Sequence, residues 1–204
     1  MKIRFHLLFF IFGICLMGHT TGSRTIVFFG DSLTAGYGIN ENEAYPALVR
    51  EKLQEEGKDY NVINAGLSGE TSAGGLRRID WLLRSPIDVF VLGLGANDGL
   101  RGLDLETTYD NLRQIIGRVT DHNADVRIVI AGMQVPPNLG DPYSREFREM
   151  YTRLADEYDA LLIPFLLEGV AGDPELNMPD GIHPNPEGHE IIAGTVWENL
   201  KPLF

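Results

Sequence analysis

The chain has 204 residues, 44% hydrophobic and 23% charged, with 17 basic residues against 29 acidic ones and a net charge of −12. Such a field repels phosphate backbones and disfavours strongly anionic soluble substrates, so a nucleic-acid partner is not expected. The length suits one domain, and a single cysteine rules out an intrachain disulfide, so a packed core must carry the stability.

The first 22 residues differ from the rest. A basic start (Lys2, Arg4) precedes an eleven-residue apolar run, Leu7–Met17, and then small and polar residues, Gly18 to Ser23. This order is that of a secretory signal peptide, and the run is short for a membrane span. The expected organisation is a signal peptide over 1–22, a single domain over 23–204, and an exported protein. An uncleaved N-terminal anchor is the alternative. Cys15 follows Ile14, which is too large for a lipoprotein cleavage site, so Cys15 is not read as a lipid anchor.

Beyond this segment, short apolar runs alternate with helical patterns. Thr25–Phe29, Asn61–Ile63, Asp88–Leu94, Arg127–Ala131 and Leu161–Phe165 read as strands. Their near-continuous apolar character belongs to strands buried on both faces, as in a parallel sheet. Helical spacing links Ala47, Leu48 and Leu53, then Leu76, Ile79, Leu82 and Leu83. It is clearest in Leu105, Tyr109, Leu112, Ile116 and Val119. A fourth helix covers about Glu146–Tyr158. The last opens at Asn185-Pro186-Glu187, a cap, a proline and an acid, and buries Ile192, Val196 and Leu200. Repeated strand–helix alternation predicts a three-layer α/β/α sandwich, whose ligand site lies beyond the carboxyl ends of the strands.

The loops at those ends carry the chemistry. After the first strand comes Gly30-Asp31-Ser32-Leu33; Ser32 is a candidate nucleophile or merely a helix cap in a glycine-rich turn. After the second comes Asn64-Ala65-Gly66-Leu67-Ser68-Gly69-Glu70-Thr71, where Gly69 can offer a backbone N–H and Ser68 is a weaker candidate nucleophile. After the third comes Gly95-Ala96-Asn97-Asp98-Gly99; Asn97 carries an amide suited to an oxyanion, but equally a turn residue. Before the last helix stands Asp180-Gly181-Ile182-His183-Pro184-Asn185. An Asp three residues ahead of a His, in a loop stiffened by Gly and Pro, can set its carboxylate on Nδ1 and leave Nε2 for a serine. A metal site from Asp180, His183, His189 and Glu190 is a competing reading, though the spacing matches no known zinc pattern. His122 and His189 otherwise read as solvent-facing.

The order of these four segments, G-D-S-L, S-G-E-T, G-A-N-D-G-L-R-G and D-G-I-H-P-N, resembles the SGNH (GDSL) hydrolase family over residues 25–200. Within it the chain is most similar to the bacterial arylesterase, acyl-thioesterase and lysophospholipase group, which also has counterparts of Met133-Gln134-Val135-Pro136-Pro137-Asn138. The resemblance implies a flavodoxin-like five-stranded parallel sheet of order 2-1-3-4-5. It implies Ser32 as nucleophile, Asp180 and His183 as its acid–base pair, and Ser32, Gly69 and Asn97 as the oxyanion hole, with Gly66 the alternative register for Gly69. Val135, Pro136, Pro137 and Leu139 are expected to line or cover the acyl chain. No metal and no cofactor are expected. The partner is a small-molecule or lipid ester, with room for transient contact with a membrane surface. The competing functions are a carbohydrate O-deacetylase on the same fold and a non-catalytic lipid- or glycan-binding module.

Overall fold

A computed structural model describes residues 24–136 and 140–204. The segment read as a signal peptide, with Cys15, lies outside the described residues, as do Pro137 and Leu139 of the expected substrate loop. Among the described residues, five strands form one sheet: β1 (Arg24–Gly30), β2 (Tyr60–Gly66), β3 (Val89–Gly93), β4 (Arg127–Ala131) and β5 (Leu161–Ile163). Their order is β2-β1-β3-β4-β5, and every neighbouring pair is parallel. Seven α-helices connect or follow them: α1 (Ser32–Ala35), α2 (Tyr45–Glu55), α3 (Ser72–Leu82), α4 (Ala96–Leu100), α5 (Leu105–His122), α6 (Asp141–Tyr158) and α7 (Pro186–Leu200). Helices α2 and α7 pack together, as do α3 with α5 and α5 with α6. This gives the three-layer sandwich of order 2-1-3-4-5 that the alternation and the resemblance implied.

Burial follows position in the sheet. The apolar residues of β1 and β3 are buried almost completely, from Ile26 to Phe29 and from Val89 to Leu92. The edge strand β2 is only half-buried, so continuous apolar character marks two-sided burial at the centre of the sheet and not at its rim. On α5 the stripe of Leu105, Tyr109, Leu112, Ile116 and Val119 faces the core as its spacing predicts. Asp104 caps that helix by accepting the Thr107 N–H at 2.8 Å. Helix α7 opens on Asn185, which accepts the Gly188 N–H at 2.9 Å.

Strands β1 and β3 shift by one residue at each end, and three boundaries move further. Strand β5 stops at Ile163 because Pro164 has no N–H to give the ladder. Strand β2 runs through the polar Asn64 to Gly66, since the pairing with β1 continues there. Helix α6 starts at Asp141, just after Gly140, with Pro142 in its first turn, where a proline costs no hydrogen bond.

At the carboxyl end of the sheet Gly66, Gly30 and Gly93 lie abreast in register. The short helix α1 folds straight back onto this row. A Cβ on Gly30 would sit 2.0 Å from Thr34 Oγ1, and one on Gly66 would sit 2.2 Å from the Ala35 backbone nitrogen. Side chains at these two positions would push away the turn that carries Ser32.

Beneath that turn, Thr34 Oγ1 and the Tyr45 hydroxyl share a 2.9 Å hydrogen bond, and the Tyr45 N–H donates to His189 Nδ1 at 3.2 Å. The expectation of a solvent-facing His189 is therefore wrong: the residue is 1% exposed. Its place on α7 points it at the otherwise unpartnered first N–H of α2. Burial, followed by the charge of His183, lowers its pKa to about 4. His122 is exposed at the end of α5, as expected.

Gly66→Ala should lower stability by about 2–3 kcal/mol, because the Cβ meets backbone and not a movable side chain. The check is a lower denaturant midpoint at unchanged slope; an unshifted midpoint would show that α1 can give way. His189 must stay neutral to accept the Tyr45 N–H. Its depressed folded-state pKa therefore contributes stability that is present above 6.5 and lost as pH falls toward 4. His189→Asn keeps an acceptor but cannot titrate there. Measured against wild type, it should gain about 3 kcal/mol between pH 7 and pH 4, and a pH-independent gap between the two proteins would refute the coupling.

Candidate active site

Ser32 opens α1 at the carboxyl end of β1. Asp31 caps the helix, its Oδ1 accepting the Leu33 N–H at 3.0 Å. The backbone thus fixes Ser32 at the sheet edge, nearly buried, with an N–H that meets no protein acceptor among the described residues. Its Oγ lies 3.0 Å from His183 Nε2, although 151 residues separate the two in sequence.

The loop before α7 holds the imidazole by local bonds. Met178 N–H donates to the His183 carbonyl at 2.7 Å, and Gly181, at φ +68°, makes the turn that a side chain would resist. Asp180 Oδ2 sits 2.7 Å from His183 Nδ1, while its Oδ1 accepts the N–H groups of Ile182 at 2.9 Å and His183 at 3.0 Å. The His183 N–H, then its imidazole, then the Ile182 N–H hold the Asp180 carboxyl down to about 2. A carboxylate that stays ionised can only accept, so the proton belongs on Nδ1 and Nε2 is left to accept the serine hydroxyl. The Tyr37 ring packs 4.5 Å from the imidazole, centroid to centroid.

Two more loops converge from either side. After β2, the Leu67 N–H donates to the Gly30 carbonyl at 2.9 Å and the Glu70 N–H to Leu67 at 3.1 Å, closing a turn around Gly69. Gly69 has φ +78° and open space where a Cβ would stand, so its backbone angle is what calls for glycine. The Gly69 N–H has no protein acceptor among the described residues, whereas that of Gly66 is taken up by Asn64 Oδ1 at 3.0 Å. After β3, α4 presents Asn97. Its Nδ2 donates to the Glu70 carbonyl at 3.0 Å and, more weakly, to Asp31 Oδ2 at 3.3 Å. The structure therefore brings Ser32, Asp180 and His183 into one hydrogen-bonded chain and sets Asn97 between the loops that carry Ser32 and Gly69.

The remaining candidates separate. Ser68 is exposed and is not the serine that His183 meets. The proposed metal set does not gather, because His183 engages Asp180 and Ser32 while His189 is turned to Tyr45. Among the described residues no three His, Cys, Asp or Glu side chains cluster to hold an ion. Val135 and Pro136 line a cavity of about 560 Å³ that opens from Ser32 and Asn97. Its apolar walls also include Leu33, Leu100, Met133, Phe165, Leu167 and Ile182. Most of these come from loops whose apolar residues have no period to distinguish them from core.

Sequence reasoning missed four acidic or basic groups around the site. Asp31 is buried, and burial pushes its carboxyl up to about 6 against the pull of the Leu33 N–H and of His183. Asp98 is buried too, accepting from the Ser72 N–H at 2.8 Å and the Ser72 hydroxyl at 2.7 Å, which ties α4 to the start of α3. Glu70 is buried against Arg78. The available signal was position: each acid stands in a glycine-containing segment at a strand end, where a merely solvated charge is not expected.

Comparison with known proteins bears on this site. Residues 28–191 match the model of the GDSL-like lipase/acylhydrolase family. An arylesterase of Vibrio mimicus is 39% identical over 195 residues, 95% of this chain and 96% of that protein. A thioesterase 1/protease 1/lysophospholipase L1 of Escherichia coli (strain K12) is 38% identical over 201 residues, 98% of this chain and 94% of that one. The crystal structure of TesA superimposes with a TM-score of 0.85 at 37% identity, covering 89% of this chain and 100% of that chain.

Proposed function

The chain belongs to the GDSL-like lipase/acylhydrolase family and is an ester hydrolase, and we propose that it is exported and cleaves neutral or zwitterionic acyl esters through an acyl-enzyme on Ser32. The observation that carries this reading is the unbroken chain from Asp180 through His183 Nδ1 and Nε2 to Ser32 Oγ, at 2.7 Å and 3.0 Å.

In the first step the Ser32 hydroxyl gives its proton to His183 Nε2 as Oγ bonds the ester carbonyl carbon. The negative charge that develops on the carbonyl oxygen meets the N–H groups of Ser32 and Gly69 and the Asn97 amide, which gives up its longer bond to Asp31 Oδ2 to do so. The bond to the leaving alcohol or thiol then breaks, and that group takes the proton from His183. Water repeats the sequence on the acyl-enzyme, releasing the acid and restoring Ser32. Asp180, ionised down to about pH 2, keeps the imidazole in the required tautomer and stabilises its charged form. Mild acidification does not neutralise Asp180, so the carboxylate that orients the imidazole stays in place. The free N–H of Gly69, beside the committed one of Gly66, supports Gly69 as the oxyanion donor.

The apolar walls of the cavity support an acyl chain as occupant in preference to an acetylated sugar. The relatives named arylesterase and lysophospholipase support the same range of esters and thioesters. Tyr37, Leu67, Leu100 and Ile182 are exposed apolar side chains of the loops around this edge, which supports transient contact with a lipid surface. No helix among the described residues is long and apolar enough to cross a membrane. The basic start and apolar run of residues 1–22 support export.

A panel of p-nitrophenyl esters from acetyl to palmitoyl should give activity on acyl chains longer than acetyl, and Ser32→Ala should abolish both turnover and labelling by a covalent serine probe. Acetyl-only turnover would assign a deacetylase instead, and inactivity of the wild type throughout a binding module. Asn97→Ala should reduce kcat by about 10²–10³-fold while the protein stays folded; an undiminished kcat removes Asn97 from the oxyanion hole.

A further inference from the structure

Arg78 and Glu70 form a pair that the reaction sequence does not use. The Glu70 side chain is 4% exposed and that of Arg78 is 24% exposed. Arg78 reaches from the middle of α3 back under the oxyanion loop. Its Nε donates to Glu70 Oε2 at 2.6 Å, and its Nη2 donates to the Ala65 carbonyl at 2.8 Å and the Gly30 carbonyl at 3.3 Å. The guanidinium lies over the Phe29 ring, 4.0 Å from its centroid. One planar cation therefore grips the carboxyl ends of both strands that deliver Ser32 and Gly69, and also the side chain of the residue after Gly69.

A largely buried ion pair adds little net stability, because the desolvation of both charges offsets most of their attraction. The bonds around this one show what its geometry controls. The Glu70 carbonyl accepts the Asn97 amide at 3.0 Å, and the Glu70 N–H closes the turn that carries Gly69. If Glu70 shifts, the Asn97 and Gly69 donors shift with it. Arg101 adds a bond from Nη2 to the Gly69 carbonyl at 3.2 Å, but it is exposed and screened by solvent.

We propose that the Glu70–Arg78 pair is the positioning element of the oxyanion hole, setting the Asn97 amide and the Gly69 N–H where the carbonyl oxygen becomes charged. The proposal rests on the assignment of those two donors to the oxyanion. Neither Glu70 nor Arg78 touches substrate.

The test is a set of single and double variants assayed on one p-nitrophenyl ester, with thermal unfolding recorded for each. Arg78→Lys keeps the charge but cannot reach three acceptors in one plane. It should lower kcat by about 10–100-fold, with KM unchanged, since donors misplaced by a fraction of an ångström fail the transition state before they fail the substrate. Glu70→Gln, which keeps an acceptor for Arg78, should lose less than Arg78→Lys, and serves as the reading if Arg78→Lys does not fold. In an Asn97→Ala background the Arg78→Lys loss should shrink, because the donor it positions is gone. Losses that multiply in full, or a rise in KM at constant kcat, would reduce the pair to a general structural contact and overturn the proposal. A normal kcat for Arg78→Lys and Glu70→Gln beside a slow Asn97→Ala overturns it while leaving the oxyanion assignment intact. An unimpaired Asn97→Ala removes that assignment first.

Discussion

The α1 turn folds back onto the ends of β1 and β2 by bringing backbones closer together than a Cβ allows. At the carboxyl edge of this sheet Gly66, Gly30 and Gly93 lie side by side, and α1 settles on them with Thr34 and Ala35 in the space that side chains on Gly30 and Gly66 would take. The Ser32 side of the candidate site is referenced to this contact. It sets Ser32 at the edge and aligns the β2 loop beside it. It also leaves Thr34 to bond Tyr45, whose N–H in turn reaches His189. Ser32, the proposed nucleophile, is thus located by what two residues, Gly30 and Gly66, lack.

A second theme is how an acidic protein organises negative charge around a site that must stabilise more of it. The chain carries a net charge of −12, yet the acids nearest the serine each have assigned partners. Asp180 takes two N–H groups and an imidazole, Asp98 takes Ser72 twice, Glu70 takes Arg78, and Asp31 takes Leu33. Their environments differ in effect: Asp180 is held ionised down to about 2, whereas burial lifts Asp31 to about 6. The more solvated carboxyl supports the imidazole, and the more buried one shapes the turn.

Much of this was legible in the chain itself. Five apolar runs became five strands, the α5 stripe was buried residue for residue, and Asp180 and His183 were paired by a three-residue spacing in a stiff loop. Those features are local, and local patterns survive folding. Less legible were the features decided by distant partners. Nothing near His189 in sequence announces that Tyr45 will offer it an N–H across 144 residues. The loss of β5 after Ile163 was readable from Pro164 alone, but the run of apolar letters outweighed it. The cavity walls are assembled from beyond the ends of four strands and from the loop before α7, so no window of sequence displays them together. That the Gly66 N–H is taken up by the Asn64 side chain while the Gly69 N–H meets no protein acceptor among the described residues is a matter of register that no motif displays.

The loop that carries His183 has a different standing from the rest. Ser32, Gly69 and Asn97 stand within a few residues of the ends of paired strands, but Asp180 and His183 sit on a short excursion held by an isolated bridge between Asn177 and Pro184 and by a few bonds within the loop. Opening that excursion breaks no strand pairing and uncovers little of the core, so it lies at the low-energy end of the protein's spectrum of partial unfolding. On the proposed mechanism, loss of turnover under heat or denaturant therefore measures the detachment of one small hairpin, and a preparation can fall catalytically silent while its spectroscopic signature of folding is still whole.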